Sequence, residues 1–210
     1  MGFDEETLRK RIYCHRGLWG STEAQNSLYS LGAAASSGFG IETDIRDSGS
    51  NLIVAHDAFS ESKVELSALY GLNAPIALNI KSDGLLRRDL GSISESLSAP
   101  GSFAFDGSIP EMLQYKKAGL PLALRVSEYE PELSWKCKYI WLDAFESDWW
   151  LEKEILPRLS ESHFVIIVSP ELHSRNHENV WNIAAKEISG MNPNVAICTD
   201  KPIEFLGILQ

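Results

Sequence analysis

Nine short apolar runs punctuate this chain of 210 residues, and their spacing limits the folds open to it. They cover residues 12–14, 39–45, 52–55, 76–80, 102–105, 120–126, 139–142, 164–168 and 195–198. Most are continuous rather than alternating, the pattern of strands covered on both faces. The turn Asp47-Ser48-Gly49-Ser50-Asn51 makes run 52–55 a hairpin return on its predecessor, leaving eight principal strands. Helical patterns fall between them, at 22–37, 85–97, 147–159 and 176–188. A further helix opens on Ser108-Ile109-Pro110-Glu111, which reads as a capping box with proline in the first turn, and Gly119 closes it. Eight strand-helix alternations predict a single domain over 1–210, an α/β (β/α)8 TIM barrel with a β-hairpin extension after the second strand. A flavodoxin-like open sheet is the alternative.

Charge narrows the partners. With 19 Lys+Arg against 29 Asp+Glu the chain carries a net charge of −10, which argues against nucleic acid or an acidic bilayer as the main partner. No apolar stretch approaches the roughly 20 residues of a membrane span. Cys14, Cys137 and Cys198 are too few for a disulfide framework, and Asp4, Glu5 and Glu6 stand where a leader would carry basic residues. The expected location is the cytoplasm; the oligomeric state is left open.

In a barrel the C-terminal strand ends converge on one mouth, so polar residues that close apolar runs become neighbours. Here those residues are His15 and Arg16, Glu42 and Asp44, His56, Asn79 and Lys81, Asp106, Arg125, Asp143, Glu171 and Asp200. Strand alternation turns Glu42 and Asp44 the same way, and likewise Asn79 with Lys81, Trp141 with Asp143, and Ser169 with Glu171. Two carboxylates on one face repel unless a proton or cation lies between them, and an oxygen-rich cage suits Mg2+ or Ca2+. His15 and His56 titrate near neutrality, so one ring can take a proton from an attacking oxygen while the other protonates a leaving oxygen. Arg16, Lys81 and Arg125 can neutralise phosphate oxygens. Trp141 can line the pocket, Cys14 should face the helix layer, and His163 is read as structural. The chain has no Walker loop, GxGxxG, GxSxG or CxxC.

The segments I-Y-C-H-R-G (12–17), Q-N-S (25–27), G-F-G-I-E-T-D (38–44), the Gly49 turn and L-I-V-A-H-D (52–57) resemble the glycerophosphodiester phosphodiesterase family. The likeness is strong over the first quarter of the chain; N-I-K (79–81) and C-T-D-K-P (198–202) extend it more weakly. The resemblance implies a TIM barrel that binds one divalent cation and cleaves phosphodiesters with two histidines, a neighbouring hydroxyl attacking phosphorus before water opens the cyclic intermediate. Carried over, it makes His15 and His56 the acid/base pair, Glu42 and Asp44 metal ligands, and Arg16 and Lys81 phosphate contacts. The family's third carboxylate falls on Asn79, a neutral ligand that Asp106 or Glu171 would have to compensate. Only residues 58–75 separate the His-Asp element from the next strand, where many members carry an inserted cap.

The leading expectation is a divalent-metal-dependent hydrolase of a small glycerol- or sugar-type phosphodiester. Glu42, Asp44, Asn79 and Asp106 would serve the metal; Arg16, Lys81, Arg125, Trp141, Asp143 and Glu171 would contact substrate. Two alternatives compete with it: a barrel without turnover that binds a phosphorylated sugar or lipid headgroup, and a lyase or aldolase using Lys81 as a Schiff base.

Overall fold

A computed structural model describes residues 3–85, 87–130, 136–152 and 154–210. Its strands are β1 (Ile12–His15), β2 (Gly40–Ser48), β3 (Asn51–Val54), β4 (Ile76–Ile80), β5 (Phe103–Phe105), β6 (Ala123–Val126), β7 (Tyr139–Leu142), β8 (Phe164–Val168) and β9 (Val195–Thr199). They form one sheet in the order β5-β4-β2-β1-β9-β8-β7-β6, every pairing along that path parallel. β3 returns antiparallel on β2, the expected hairpin. The sheet curls until its edges meet through a bridge between Ala104 and Leu122, where the Ala104 amide donates to Pro121 at 2.9 Å. Eight parallel strands in a nearly closed cylinder, flanked by helices, make the (β/α)8 barrel and exclude the open sheet.

Alternation sorts each strand into two populations. Ile12, Cys14, Ile41, Ile45, Leu78 and Ile140 face outward into the larger apolar core beneath the helices. Tyr13, Ala77, Phe103, Phe105, Ala123, Tyr139, Trp141, Ile166, Val168, Ala196 and Cys198 fill the cylinder. Bulk and smallness are matched there: the rings of β5 and β7 stack as Phe103–Tyr139 at 4.9 Å and Phe105–Trp141 at 4.2 Å, beside alanines on β4, β6 and β9. Gly40 belongs to the same scheme, because a Cβ there would stand 2.9 Å from the Tyr13 ring. Truncating fully buried Phe103 to alanine would remove about 3–5 kcal/mol from this layer.

The helices are α1 (Glu5–Arg9), α2 (Leu28–Ser36), α3 (Arg87–Ser96), α4 (Ile109–Lys117), α5 (Trp149–Glu152), α6 (Ile155–Ser160), α7 (Glu178–Ser189) and α8 (Pro202–Leu209). Several depart from expectation. The single helix expected over 22–37 is a 3-10 turn, Thr22–Ala24, then a left-handed Asn26 (φ 56°), then α2 capped by Ser27. The pattern at 147–159 breaks at left-handed Glu154 into α5 and α6. Lys153 in that pattern and Leu86 in the one at 85–97 lie outside the described residues. α4 starts where its capping box predicts, yet the Ser108 side chain caps nothing, and Glu111 instead accepts the Gly84 amide at 3.0 Å. No described helix is long and apolar enough to cross a membrane.

Candidate active site

The mouth is built first by the turn after β1. Parallel register sets His15 beside Glu42, and the chain then passes through left-handed Arg16 (φ 58°) and Gly17 (φ 91°). Only glycine fits at 17, since a Cβ would lie 2.7 Å from the Ser30 backbone. The turn aims the Arg16 amide at Glu42 Oε2 (3.2 Å) and the Arg16 guanidinium at Asp44 Oδ2 (3.2 Å). Asn26, which broke the expected helix, donates to Asp44 Oδ2 at 2.9 Å and accepts from Thr43 Oγ1 at 2.8 Å. Its strained backbone therefore fixes an acid of the site.

Both histidines expected at the mouth are oriented by carboxylates. His15 Nδ1–H donates to Asp200 Oδ1 at 2.7 Å, and its Nε2 lies 3.9 Å from Glu42 Oε2. Burial, the largest single influence on this ring, lowers its pKa; the Asp200 hydrogen bond and the charges of Glu42 and Asp200 outweigh it, and the net shift is upward from 6.5. His56 Nδ1–H donates to Asp57 Oδ1 at 2.7 Å on an exposed rim, while Arg46 Nε donates to the His56 carbonyl at 2.8 Å. With Nδ1 donating in each, Nε2 is the ring nitrogen not engaged by that carboxylate.

Glu42 and Asp44 are 2 % and 1 % exposed. Burial, then the neighbouring Asp44 charge, raises the Glu42 pKa to about 7. Register places Asn79 opposite Asp44, its Nδ2 donating to Glu42 Oε1 at 3.5 Å while its Oδ1 is buried without a partner. Among the described residues no three His, Cys, Asp or Glu side chains gather as a metal cage. Oxygens that fit a hard cation include the two carboxylates and the orphaned amide oxygen. Asp106 forms ion pairs with Lys81 Nζ at 3.3 Å and Arg125 at 2.9 Å, and its buried Oδ1 makes no hydrogen bond. Lys81 Nζ also lies 3.6 Å from Asp44 Oδ1.

The far wall comes from β5 to β8. Arg125 pairs bidentately with Glu130 (2.5 and 3.1 Å) as well as with Asp106. Asp143 Oδ1 accepts the Ala144 amide at 2.9 Å and His173 Nε2–H at 2.7 Å. Phe145 packs its ring 4.7 Å from that of His173. Glu171 does not join them. After Val168 the chain enters a 3-10 turn, Pro170–His173, so strand alternation no longer applies, and Glu171 accepts from Thr199 Oγ1 (2.5 Å) and the Asp200 amide (3.2 Å). It braces the loop that carries the partner of His15.

Eleven of the twelve side chains singled out from the sequence line one cavity of about 250 Å³, Glu171 being the exception. Phe105, Phe145, Val168, Leu172 and His173 complete it. A second cavity of similar size shares only Asp106 and Arg125 with the first and holds no histidine. Sequence reasoning gave no role to His173, which the 3-10 turn carries into the mouth, or to Asn26 and Asp200. The sequence places Asp200 at the mouth without a role, and its parity with inward-facing Cys198 turns its side chain that way. His163, as expected, is structural, with Nδ1–H donating to the Cys137 carbonyl at 2.8 Å.

No family model and no curated protein matches this sequence. Among solved structures, the chain is similar to a glycerophosphoryl diester phosphodiesterase from Parabacteroides distasonis ATCC 8503, with a TM-score of 0.51 and 14 % identity over 94 % of this chain and 85 % of that one. At that identity the likeness establishes a shared fold.

Proposed function

We propose that this chain is a divalent-cation-dependent phosphodiesterase acting on a small phosphodiester. The observation that carries the reading is the flanking of a buried Glu42–Asp44 pair by two imidazoles, each oriented by its own carboxylate, in one cavity. The phosphodiesterase with the same fold supports it.

A cation would relieve the repulsion between the buried carboxylates of Glu42 and Asp44, which adds to burial in holding the Glu42 proton to about 7. Mg2+ or Ca2+ held by Glu42, Asp44 and the free oxygen of Asn79 would polarise a phosphoryl oxygen. Arg16 and Lys81, freed from part of their duty to Asp44, would contact the phosphate. His15, with its raised pKa and buried position, is suited to protonate the leaving oxygen, and His56 at the rim to accept the proton of the attacking oxygen. Asp200 and Asp57 hold those rings in the required tautomer.

The test is hydrolysis of a panel of glycerol and sugar phosphodiesters with added Mg2+ or Ca2+. Activity untouched by both chelation and His15→Ala rules the mechanism out. A binding protein without turnover is the second reading, motivated by Asn79 in place of a carboxylate; calorimetric binding of diesters with no product across cations would favour it. Lys81 lies between Asp44 and Asp106, at 3.6 and 3.3 Å, a placement that favours a phosphate contact over an imine-forming role.

A further inference from the structure

Behind the cavity, a chain of buried polar groups ties the outer helix α7 to the ring of His15. We propose that this chain, running from Trp181 through Ser169 and Glu171 to Asp200, positions His15 for proton transfer, with Glu171 as its hub. The proton transfer rests on the phosphodiesterase reading, whereas the hydrogen bonds that orient the ring are independent of it.

Glu171 stands outside the cavity lining, and both of its oxygens are engaged. Oε1 accepts from Thr199 Oγ1 at 2.5 Å and from the Asp200 amide at 3.2 Å, and Oε2 accepts from Ser169 Oγ. Further donors fix the direction of these bonds. Trp181 Nε1–H donates to Ser169 Oγ at 2.7 Å, and the Lys201 amide donates to Thr199 Oγ1 at 3.0 Å. Each hydroxyl thus spends a lone pair on an N–H group and turns its own proton to Glu171. Ser169 and Thr199 are both 0 % exposed, so bulk solvent does not compete for those protons. The indole that starts the chain is seated edge-on against Phe205 of α8, with ring centroids 5.3 Å apart.

At the other end, the Asp200 amide is pinned to the same oxygen as Thr199, which fixes the backbone from which Asp200 reaches His15 Nδ1 at 2.7 Å. That bond stands whether the ring is neutral or charged, because Nδ1 carries a proton in the imidazolium and in the tautomer that Asp200 selects. With Nδ1 held, Nε2 is directed to the Glu42 side of the mouth, 3.9 Å from Oε2. Proton transfer requires that nitrogen within hydrogen-bond reach of a substrate oxygen, and a ring without its anchor turns away from it. Glu171 is therefore a positioning residue: it touches neither substrate nor cation, and its loss should lower kcat rather than raise KM.

The experiment pairs kinetics with proton NMR on the chain. The proton on His15 Nδ1, held by a carboxylate, should resonate downfield of the amides and is assigned by its loss in His15→Ala. Glu171→Ala should lower kcat about tenfold, hold KM within about twofold, and weaken that signal by exchange with water. Glu171→Gln, whose amide oxygen still accepts from Thr199 and Asp200, should keep the signal and restore most of kcat. Trp181→Phe should lower kcat by a smaller factor and add nothing in the Glu171→Ala background, because its influence travels through Glu171. An unchanged kcat and signal in Glu171→Ala, a rise in KM alone, or losses that multiply in the double variant would overturn the proposal. If Glu171→Ala does not fold, Trp181→Phe and Ser169→Ala carry the test: the signal should weaken in both, and its persistence in both overturns the proposal. If no diester turns over, the phosphodiesterase reading falls, and the signal alone decides whether the chain positions His15.

Discussion

Glu42 offers the sharpest test of whether the acid pair is a cation site. Unfolded, this carboxyl titrates near 4.5; in the cation-free fold it holds its proton to about 7, for reasons of burial first and the Asp44 charge second. Between those values the folded chain binds more protons than the unfolded one, so stability falls as pH rises from about 4.5 to 7 and stays low above it. The gap, at about 1.4 kcal/mol per pH unit, amounts to about 3 kcal/mol. Glu42→Gln removes the charge while keeping an acceptor for the Arg16 amide. In the presence of chelator at pH 8 it should therefore melt above the parent chain, by at most roughly 6–12 °C for a chain of this length. At pH 4.5 the two should coincide. His15, whose pKa is also raised, adds a slope of the same sign above 6.5, because its stabilising proton is lost as pH climbs. Added Mg2+ or Ca2+ should reverse the order, raising the parent by about 2.7 kcal/mol at a hundredfold excess over Kd and leaving Glu42→Gln nearly unmoved. The readout is thermal unfolding by circular dichroism across pH, with and without cation. A variant no more stable than its parent at pH 8, or a cation that stabilises both equally, refutes the reasoning.

Three further outcomes follow from the same geometry. Asn79→Asp should tighten cation binding at least tenfold by calorimetry, since the orphaned oxygen becomes a charged ligand. Asp200→Asn should lower kcat about 10- to 100-fold with KM little changed, because His15 loses the acceptor that fixes its tautomer. Gly17→Ala should destabilise by about 2 kcal/mol or more in denaturant titration, the Cβ being driven into Ser30 at a backbone angle that alanine resists.

Strand count, hairpin and inward facing were legible in the sequence because they depend on period and polarity, which the chain writes locally. Cys14 and His15 divide between the helix layer and the mouth as alternation requires, and the same rule delivers Trp141 and Asp143 together. The misreadings fall where a residue leaves the repeating conformation. Asn26 has a good helical neighbourhood, yet its side chain bonds Thr43 and Asp44 across the molecule, and those contacts override propensity. Glu171 and His173 lie in a 3-10 turn that exchanges their expected positions, turning one away from the cavity and bringing the other in. Asp106 shows a different limit: its placement at a strand end is readable, but its engagement by Lys81 and Arg125 is set by three strands at once.

Among the described residues the cylinder is fastened along its β5–β6 line by an isolated bridge, Ala104–Leu122, beside which the Ala104 amide donates to Pro121. Asp106 follows β5 directly and Arg125 lies within β6, and their ion pair spans the same gap at 2.9 Å. Recognition and mechanical integrity are therefore joined at one clasp: a ligand that draws Arg125 away loosens the hoop, and one that braces it tightens the whole wall. Amide protons along β5 and β6 should be the first of the barrel strands to exchange with deuterium, and should slow when a diester is bound.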